Sequence, residues 1–474
     1  MPLELPQPVA FPSQRKTPAM LTYSMRRYLG AVTRRLQVGA GEQGRRGCAD
    51  SASARDDPEH TRTLLQLCAA RHFTAGEPVD RESVLSGRLG YGPLGTELKK
   101  NLLRQWWRSV VASRAEVLGI SSPHQCQGRP ASGSLRLVDG EALSSVLRQK
   151  GLSTEGLARE VERTLRESAV LRTTLLPGAL DQYMASLELV NKKLPFGLAE
   201  MGVCYLPPGG HSPGAEVTET SLVWFCSPRT AAQWLDYWVR HRLQWWRKFA
   251  VGPSNFVSAD FEEEGDGGVE RAVRGARLLY HFPWGPEPLE TLRSLGDREL
   301  LRTHQGSKAK LQCLDGRRCV VPHVVSVSGN MDRAMLAYLH DSLQQQKRVD
   351  SRQRLHHRKV LKLHPSLAPV KVALDMSRGP TVELRQVCEG LLQELLDRSI
   401  SVWPGYLQTL PSSLEQLHKK YDEMGVLFTV LVSEATLENG LVQVRNRDTT
   451  VREMMHVSEI KDFLVKYVTE STSD

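Results

Sequence analysis

From Leu367 onward, strand-length apolar runs alternate with helical stretches, and few folds accept that order. LAPVKVALDMSRGP (367–380) reads as a strand entering a loop, and Thr381 to Arg398 carries Leu384, Val387, Leu391 and Leu395 at helical spacing. Ile400–Val402 follows, then a helix near Ser413–Glu423 and a strand at Val426–Val432. Ala435–Leu437 and Leu441–Arg445 read as a hairpin-like pair around Asn439–Gly440, and Ser458–Val468 as a closing helix. Such alternation predicts a sheet flanked by helices, an α/β domain over 366–474.

The preceding block, 60–345, has a different grain. Leu98, Leu102, Trp106 and Val110 recur every four residues after the Gly/Pro turn of Tyr91–Gly95, predicting a helix with one apolar stripe. Trp106–Trp107 then belongs to packing rather than to base stacking. TAAQWLDYWVRHRLQWWRKFA (230–250) is a second long amphipathic helix, with Trp234, Trp238 and Trp245 or Trp246 inward. Two interruptions are expected: an acidic, Gly-rich loop at 259–270 and a helical insertion at 132–172. Within the insertion, Glu141–Lys150 carries Leu143, Val146 and Leu147 on one face, and a helix from Thr154 carries Leu157, Val161 and Leu165. Two short helices alone are marginal. Either they pack on their own domain, or a two-fold axis doubles them into a four-helix bundle, the arrangement expected here.

The chain has 474 residues and a net charge of +9, which permits nucleic-acid binding without requiring it. Much of that charge sits early. Between Phe11 and Gly47 stand Arg15, Lys16, Arg26, Arg27, Arg34, Arg35, Arg45 and Arg46 against the single acid Glu42. An Arg-rich, acid-poor start reads as a mitochondrial presequence or as a basic tail; 1–59 is expected to be a leader of the first kind, with the matrix as destination. No run approaches the roughly 18 apolar residues of a spanning helix. The 8 cysteines are scattered without a Cys-x-x-Cys pair, so no metal site is expected. P-loop, Gly-x-Gly-x-x-Gly, Gly-x-Ser-x-Gly and His-Glu-x-x-His signatures are missing as well. The stretch 346–365 reads as a basic linker: KRVDSRQRLHHRKVLK (347–362) holds Lys347, Arg348, Arg352, Arg354, Arg358, Lys359 and Lys362 against Asp350.

LPFGLAEMGVCYLPP (194–208) resembles the second signature motif of class II aminoacyl-tRNA synthetases of the glycyl type. In that family the strand runs on into an arginine and a glutamate that hold ATP. Here Leu206 and Pro208 occupy those places. HFPWGPEPLETLRSLGDREL (281–300) is similar to the family's glycine-recognition wall, with Thr291, Leu292 and Arg293 where small residues belong. VVPHVVSVSGNMDRAMLAYL (320–339) resembles the third motif, with Asn330 in place of its glycine while Asp332 and Arg333 remain. RTTLLPGALDQYM (172–184) has Leu176, Pro177 and Gly178 where the family has Arg-Pro-Glu. Each lost guanidinium–phosphate contact is worth about 1.5–3 kcal/mol, so adenylation is expected to be absent and no cofactor is expected. LVQVRNRDTT (441–450) resembles the same synthetases' anticodon-binding domain.

The resemblance implies a class II synthetase-like antiparallel sheet domain with a helical insertion and an anticodon-binding-like α/β domain. A degraded synthetase body with a presequence is similar to the accessory-subunit family of the mitochondrial DNA polymerase. That implies a homodimeric, non-catalytic processivity factor of the nucleoid whose partners are the polymerase catalytic subunit and primer–template duplex, with no membrane. A divergent mitochondrial synthetase and a tRNA-binding paralogue stay open as alternatives. The expected DNA-binding residues are the seven cations of 347–362 with Lys99 and Lys100, and more weakly Arg104 and Arg108. Arg445, Arg447 and Lys461 are the expected polymerase contacts.

Overall fold

A computed structural model describes residues 58–75, 90–126, 135–148, 153–207, 215–263, 272–305, 308–349, 355–378, 381–408 and 413–473. All belong to one unit, Asp56–Asp474. The expected leader lies outside the described residues.

The larger half is a seven-stranded sheet. Its strands are β1 (Val117–Gly119), β2 (Phe196–Leu206), β3 (Ala215–Cys226), β4 (Phe256–Glu263), β5 (Val273–Phe282), β6 (Gly285–Gly296) and β7 (His323–Asn330). Their order is β1-β2-β3-β7-β6-β5-β4. Only β1 pairs in parallel; β2 and β3 are antiparallel from Phe196↔Phe225 to Leu206↔Ala215. Side chains alternate across the sheet, so each strand feeds two layers. Leu222 and Trp224 of β3 pack under helices α1 (Pro58–Ala70), α2 (Pro93–Trp107), α6 (Ala231–Lys248) and α7 (Met331–Ser342), whereas Val223 and Phe225 form a second cluster on the other face. Trp106, Trp238 and Trp246 are fully buried, so the tryptophans serve packing.

The insertion rises from a three-stranded stem (Gln125–Cys126, Arg136–Leu137, Ala169–Leu171) as helices α3 (Gly140–Arg148) and α4 (Thr154–Glu167). Ser153 caps α4, accepting from the Gly156 N–H. A short helix, α5 (Leu176–Asp181), then leads back to the sheet.

The basic segment is not an extended linker. Leu343–Val349 (β8) and Leu355–Leu361 (β9) form an antiparallel ribbon, Leu343↔Leu361 through Val349↔Leu355. Its charge count hid this, because the strand is anchored by the completely buried Val360 and Leu361 at one end.

The final domain carries β10 (Val372–Met376), β11 (Val402–Pro404), β12 (Phe428–Val432), β13 (Leu441–Asn446) and β14 (Arg452–His456) in the order β11-β10-β12-β13-β14. Helices α8 (Thr381–Asp397), α9 (Leu414–Met424), α10 (Glu434–Asn439) and α11 (Val457–Ser473) flank them. The expected hairpin around Asn439–Gly440 is instead the end of α10. Gly440 has φ +71° and its N–H reaches Thr436 O at 3.0 Å, a left-handed helix cap. An Asn-Gly pair serves either a tight hairpin or a helix end, since both need positive φ. The partner of β13 is β14.

Candidate functional site

The face of the sheet below α5 is polar, and its charged groups are spent on their neighbours, although Ser221 Oγ has no partner among the described residues. Glu200 of β2 is 2% exposed; its carboxylate accepts from the Ser122 N–H (2.8 Å), the Ser122 hydroxyl and Arg172 Nη1 (3.0 Å). Arg172 also donates to Val203 O at 2.8 Å and Ser122 O at 2.8 Å. A Cβ at Gly202 would lie 2.2 Å from the Arg172 guanidinium, so the glycine lets the arginine lie flat on the strand. A Cβ at Gly178 would likewise meet Ser122 Oγ at 2.3 Å: α5 is seated directly over the Glu200 pair.

Glu219, opposite Gly202 and two register positions from Glu200, accepts from Thr174 Oγ1 and Ser328 Oγ, both at 2.9 Å. Burial pushes its carboxyl above the usual carboxylate range, against the pull of those donors. The fold therefore favours the protonated form. Stability from this group is present at low pH and declines as pH rises through the shifted folded value. Glu219→Gln, which cannot ionise, should gain stability relative to the wild type as pH is raised. Melting both from pH 4 to 8 checks this; a constant difference would show that Glu219 titrates alike in the folded and the unfolded chain.

The motif-3 region is equally occupied. Asn330 Oδ1 caps α7 by accepting from the Arg333 N–H at 2.9 Å. Asp332 accepts from Tyr91 OH and Lys99 Nζ, both at 2.7 Å, and from Thr218 N at 2.6 Å. Arg333 Nη1 donates to Pro288 O at 2.7 Å, while its buried Nε has no hydrogen-bond partner among the described residues. Among the wall residues, Leu292 lies in the core and Arg293 pairs with Glu263 at 3.3 Å. Leu206 ends β2 half-buried, and Pro208 lies outside the described residues. Leu176, Pro177 and Gly178 open α5.

Several expected contact residues are corrected by burial. Lys99 is held by Asp332, so it is not a free DNA contact. Arg358 pairs with Asp422 at 2.8 Å and donates to Arg447 O, binding the ribbon to the last domain. Arg445 is 6% exposed and makes two bonds to Asp422 at 2.9 and 3.0 Å. Arg447 is 2% exposed and donates to Gly425 O and Leu363 O, both at 2.9 Å. Neither arginine offers its guanidinium to a partner. They were misjudged because an arginine on a strand looks identical in sequence whether it faces water or a buried acid.

The other residues keep accessible surface or are undescribed. Lys100 is exposed beside Glu97 (2.8 Å), Arg104 and Arg108 are exposed, and Lys359 and Lys362 are half-buried. The strand backbone places Lys347 and Arg348 on β8, while Arg352 and Arg354 lie outside the described residues. Lys461 sits 3.9 Å from Glu394 on α8, about a third exposed.

No residue of α3 or α4 is buried. Leu143, Val146, Leu157 and Val161 are half-covered, and Leu147 and Leu165 are 57% and 38% exposed. Sequence reasoning missed Arg172, Glu200 and Glu219. An acid inside the apolar strand of 194–206 was the available signal, since a glutamate there has to be paired or protonated.

Residues 369–467 match a family model described as an anticodon binding domain. A Mus musculus protein described as DNA polymerase subunit gamma-2 is 52% identical over 90% of this chain and 95% of its own length. A Xenopus laevis protein described as DNA polymerase subunit gamma-2, mitochondrial, is 50% identical over 85% and 87%. A glycine–tRNA ligase of Mycolicibacterium paratuberculosis is 27% identical over 79% and 90%, in keeping with the synthetase-like sheet.

Proposed function

The chain belongs to the DNA polymerase subunit gamma-2 family, and from that premise we propose that it is a non-catalytic accessory subunit of the mitochondrial DNA polymerase. It binds the catalytic subunit and duplex DNA, and so holds the polymerase on its template. The observation that carries the non-catalytic part is the self-paired floor: Arg172 is committed to Glu200, Lys99 to Asp332 and Arg333 to Pro288 O. Among the described residues, a triphosphate placed there would meet two glutamates, and Arg172 is already bound to Glu200 and Arg333 already donates to Pro288 O.

A factor of this kind works by multivalency. Contacts to polymerase and to DNA on one body make each dissociation step local, lengthening the residence of the complex without chemistry. The contact to DNA is sequence-independent and weakens as salt rises. Exposed Lys100 and the ribbon's Lys347, Arg348, Lys359 and Lys362 serve the phosphates. Lys461 and the outer face of the last domain serve the polymerase. The apolar stripe of α3 and α4 joins two copies, and the site of action is the mitochondrial matrix.

Primer extension by the polymerase catalytic subunit, trapped after one binding event, is expected to yield longer products when this chain is added. Unchanged product length sinks the reading. The rival is a divergent synthetase, favoured by the likeness to glycine–tRNA ligases. Amino-acid-dependent exchange of pyrophosphate into ATP would establish it instead.

A further inference from the structure

Around α9 and the β13–β14 pair, positive charge exceeds what the fold uses. Arg445 and Arg452 stand directly opposite each other across the two strands, an arrangement of like charges that destabilises a sheet when nothing intervenes. Asp422 of α9 takes both Arg445 and Arg358, at 2.9 and 2.8 Å, so one carboxylate serves two guanidinium groups and the exposed Arg452 is left over. His418, one turn earlier on α9, is 9% exposed, and neither ring nitrogen has a hydrogen-bond partner among the described residues.

A buried imidazole with both nitrogens unsatisfied forgoes bonds that such groups almost always make. Its surroundings explain why it is not charged. Burial depresses the ring to about 4, with Arg445 and Arg452 adding to the effect, Asp422 opposing it and Arg358 adding a smaller share. An anion entering among these groups would remove the repulsion between the facing arginines. It would also make the protonated imidazole favourable and give it an acceptor.

We propose that the exposed Arg452 and the unpartnered His418 ring form an oxyanion site that takes a phosphate of a nucleic-acid backbone, with Arg445, held by Asp422, contributing its field rather than a direct contact. This rests on the DNA-binding reading above and gives it a specific place. A nucleic acid is favoured over the carboxylate of a protein partner because Arg358, which shares Asp422 with Arg445, belongs to the segment whose sequence holds seven cations and one acid over 347–362.

The test uses the full chain with histidine rings isotopically labelled. The probes are inorganic phosphate, a duplex of mixed sequence and a hexaglutamate peptide. Phosphate and duplex are each expected to move the His418 ring resonances and raise its titration from about 4. Arg452→Ala, at an exposed strand position where folding is not at stake, is expected to weaken duplex binding roughly threefold to tenfold and lower the salt slope by about 1. Arg452→Lys should retain most of the affinity. An unmoved His418 at saturating duplex, or an Arg452→Ala affinity and slope equal to wild type, overturns the site while leaving DNA binding elsewhere intact. A shift with hexaglutamate but not duplex overturns the nucleic-acid occupant. If the wild type binds no duplex, the DNA-binding reading itself falls. Inorganic phosphate then judges the oxyanion site alone: movement supports it and stillness ends it.

Discussion

A chain carrying Leu147→Glu and Leu165→Glu is expected to scatter light as a single copy, at half the mass of the wild type. The two leucines are 57% and 38% exposed, and they continue a stripe with Leu143, Val146, Leu157 and Val161 that is left only half-covered among the described residues. The helices that carry them are 9 and 14 residues long, too short to be stable in water on propensity alone. Fully covering a leucine contributes about 1.5–3 kcal/mol, so a second copy of the pair would supply what α3 and α4 lack. A glutamate at either position would bring an unpaired carboxylate into the contact, which costs more than the leucine contributed. The melting temperature of the wild type should rise with protein concentration, and that of the variant should not. An unchanged mass would remove the helical pair from the interface and leave it packed on its own domain.

The second large effect is in the core. Arg242 and Glu290 are both wholly buried, and the Glu290 carboxylate accepts from Arg242 Nε at 3.0 Å and Trp246 Nε1 at 2.8 Å. The guanidinium lies over the Trp245 ring at 4.3 Å, and its two terminal nitrogens have no hydrogen-bond partner among the described residues. Glu290→Ala strands that cation and is expected to cost about 3–5 kcal/mol in denaturant unfolding, or roughly 6–20 °C in Tm. Arg242→Met with Glu290→Leu removes both charges and should recover most of the loss, because an apolar pair of similar volume avoids the desolvation cost. If the double variant is as unstable as the single one, packing rather than stranded charge explains the effect.

Periodicity made the long elements legible. The helices of 93–107 and 231–248 and the alternation of the last domain follow from spacings of four and of two, whatever lies around them. That Leu206 and Pro208 stand where the resemblance leads one to expect an arginine and a glutamate was legible too, since residue identity needs no fold. Two misreadings share one cause. The ribbon at Leu343–Leu361 and the helix at Glu434–Asn439 are short, and short elements are decided by what they pack against.

By itself, the sequence determined the class of fold, the residues standing at the synthetase-like motif positions and the apolar stripe of the insertion, because these depend on residue type and local order; that the stripe lies unburied came from the structure. Only the tertiary structure decided the fate of the charges. Lys99, Arg358, Arg445 and Arg447 turned inward to Asp332, Asp422 and backbone carbonyls, whereas Arg452 and Lys100 stayed at the surface. Whether a cation is available to DNA depends on a carboxylate or carbonyl brought beside it from elsewhere in the chain: 233 residues away for Lys99 and 64 for Arg358. At such separations the Coulomb interaction exists only once the fold has closed the distance.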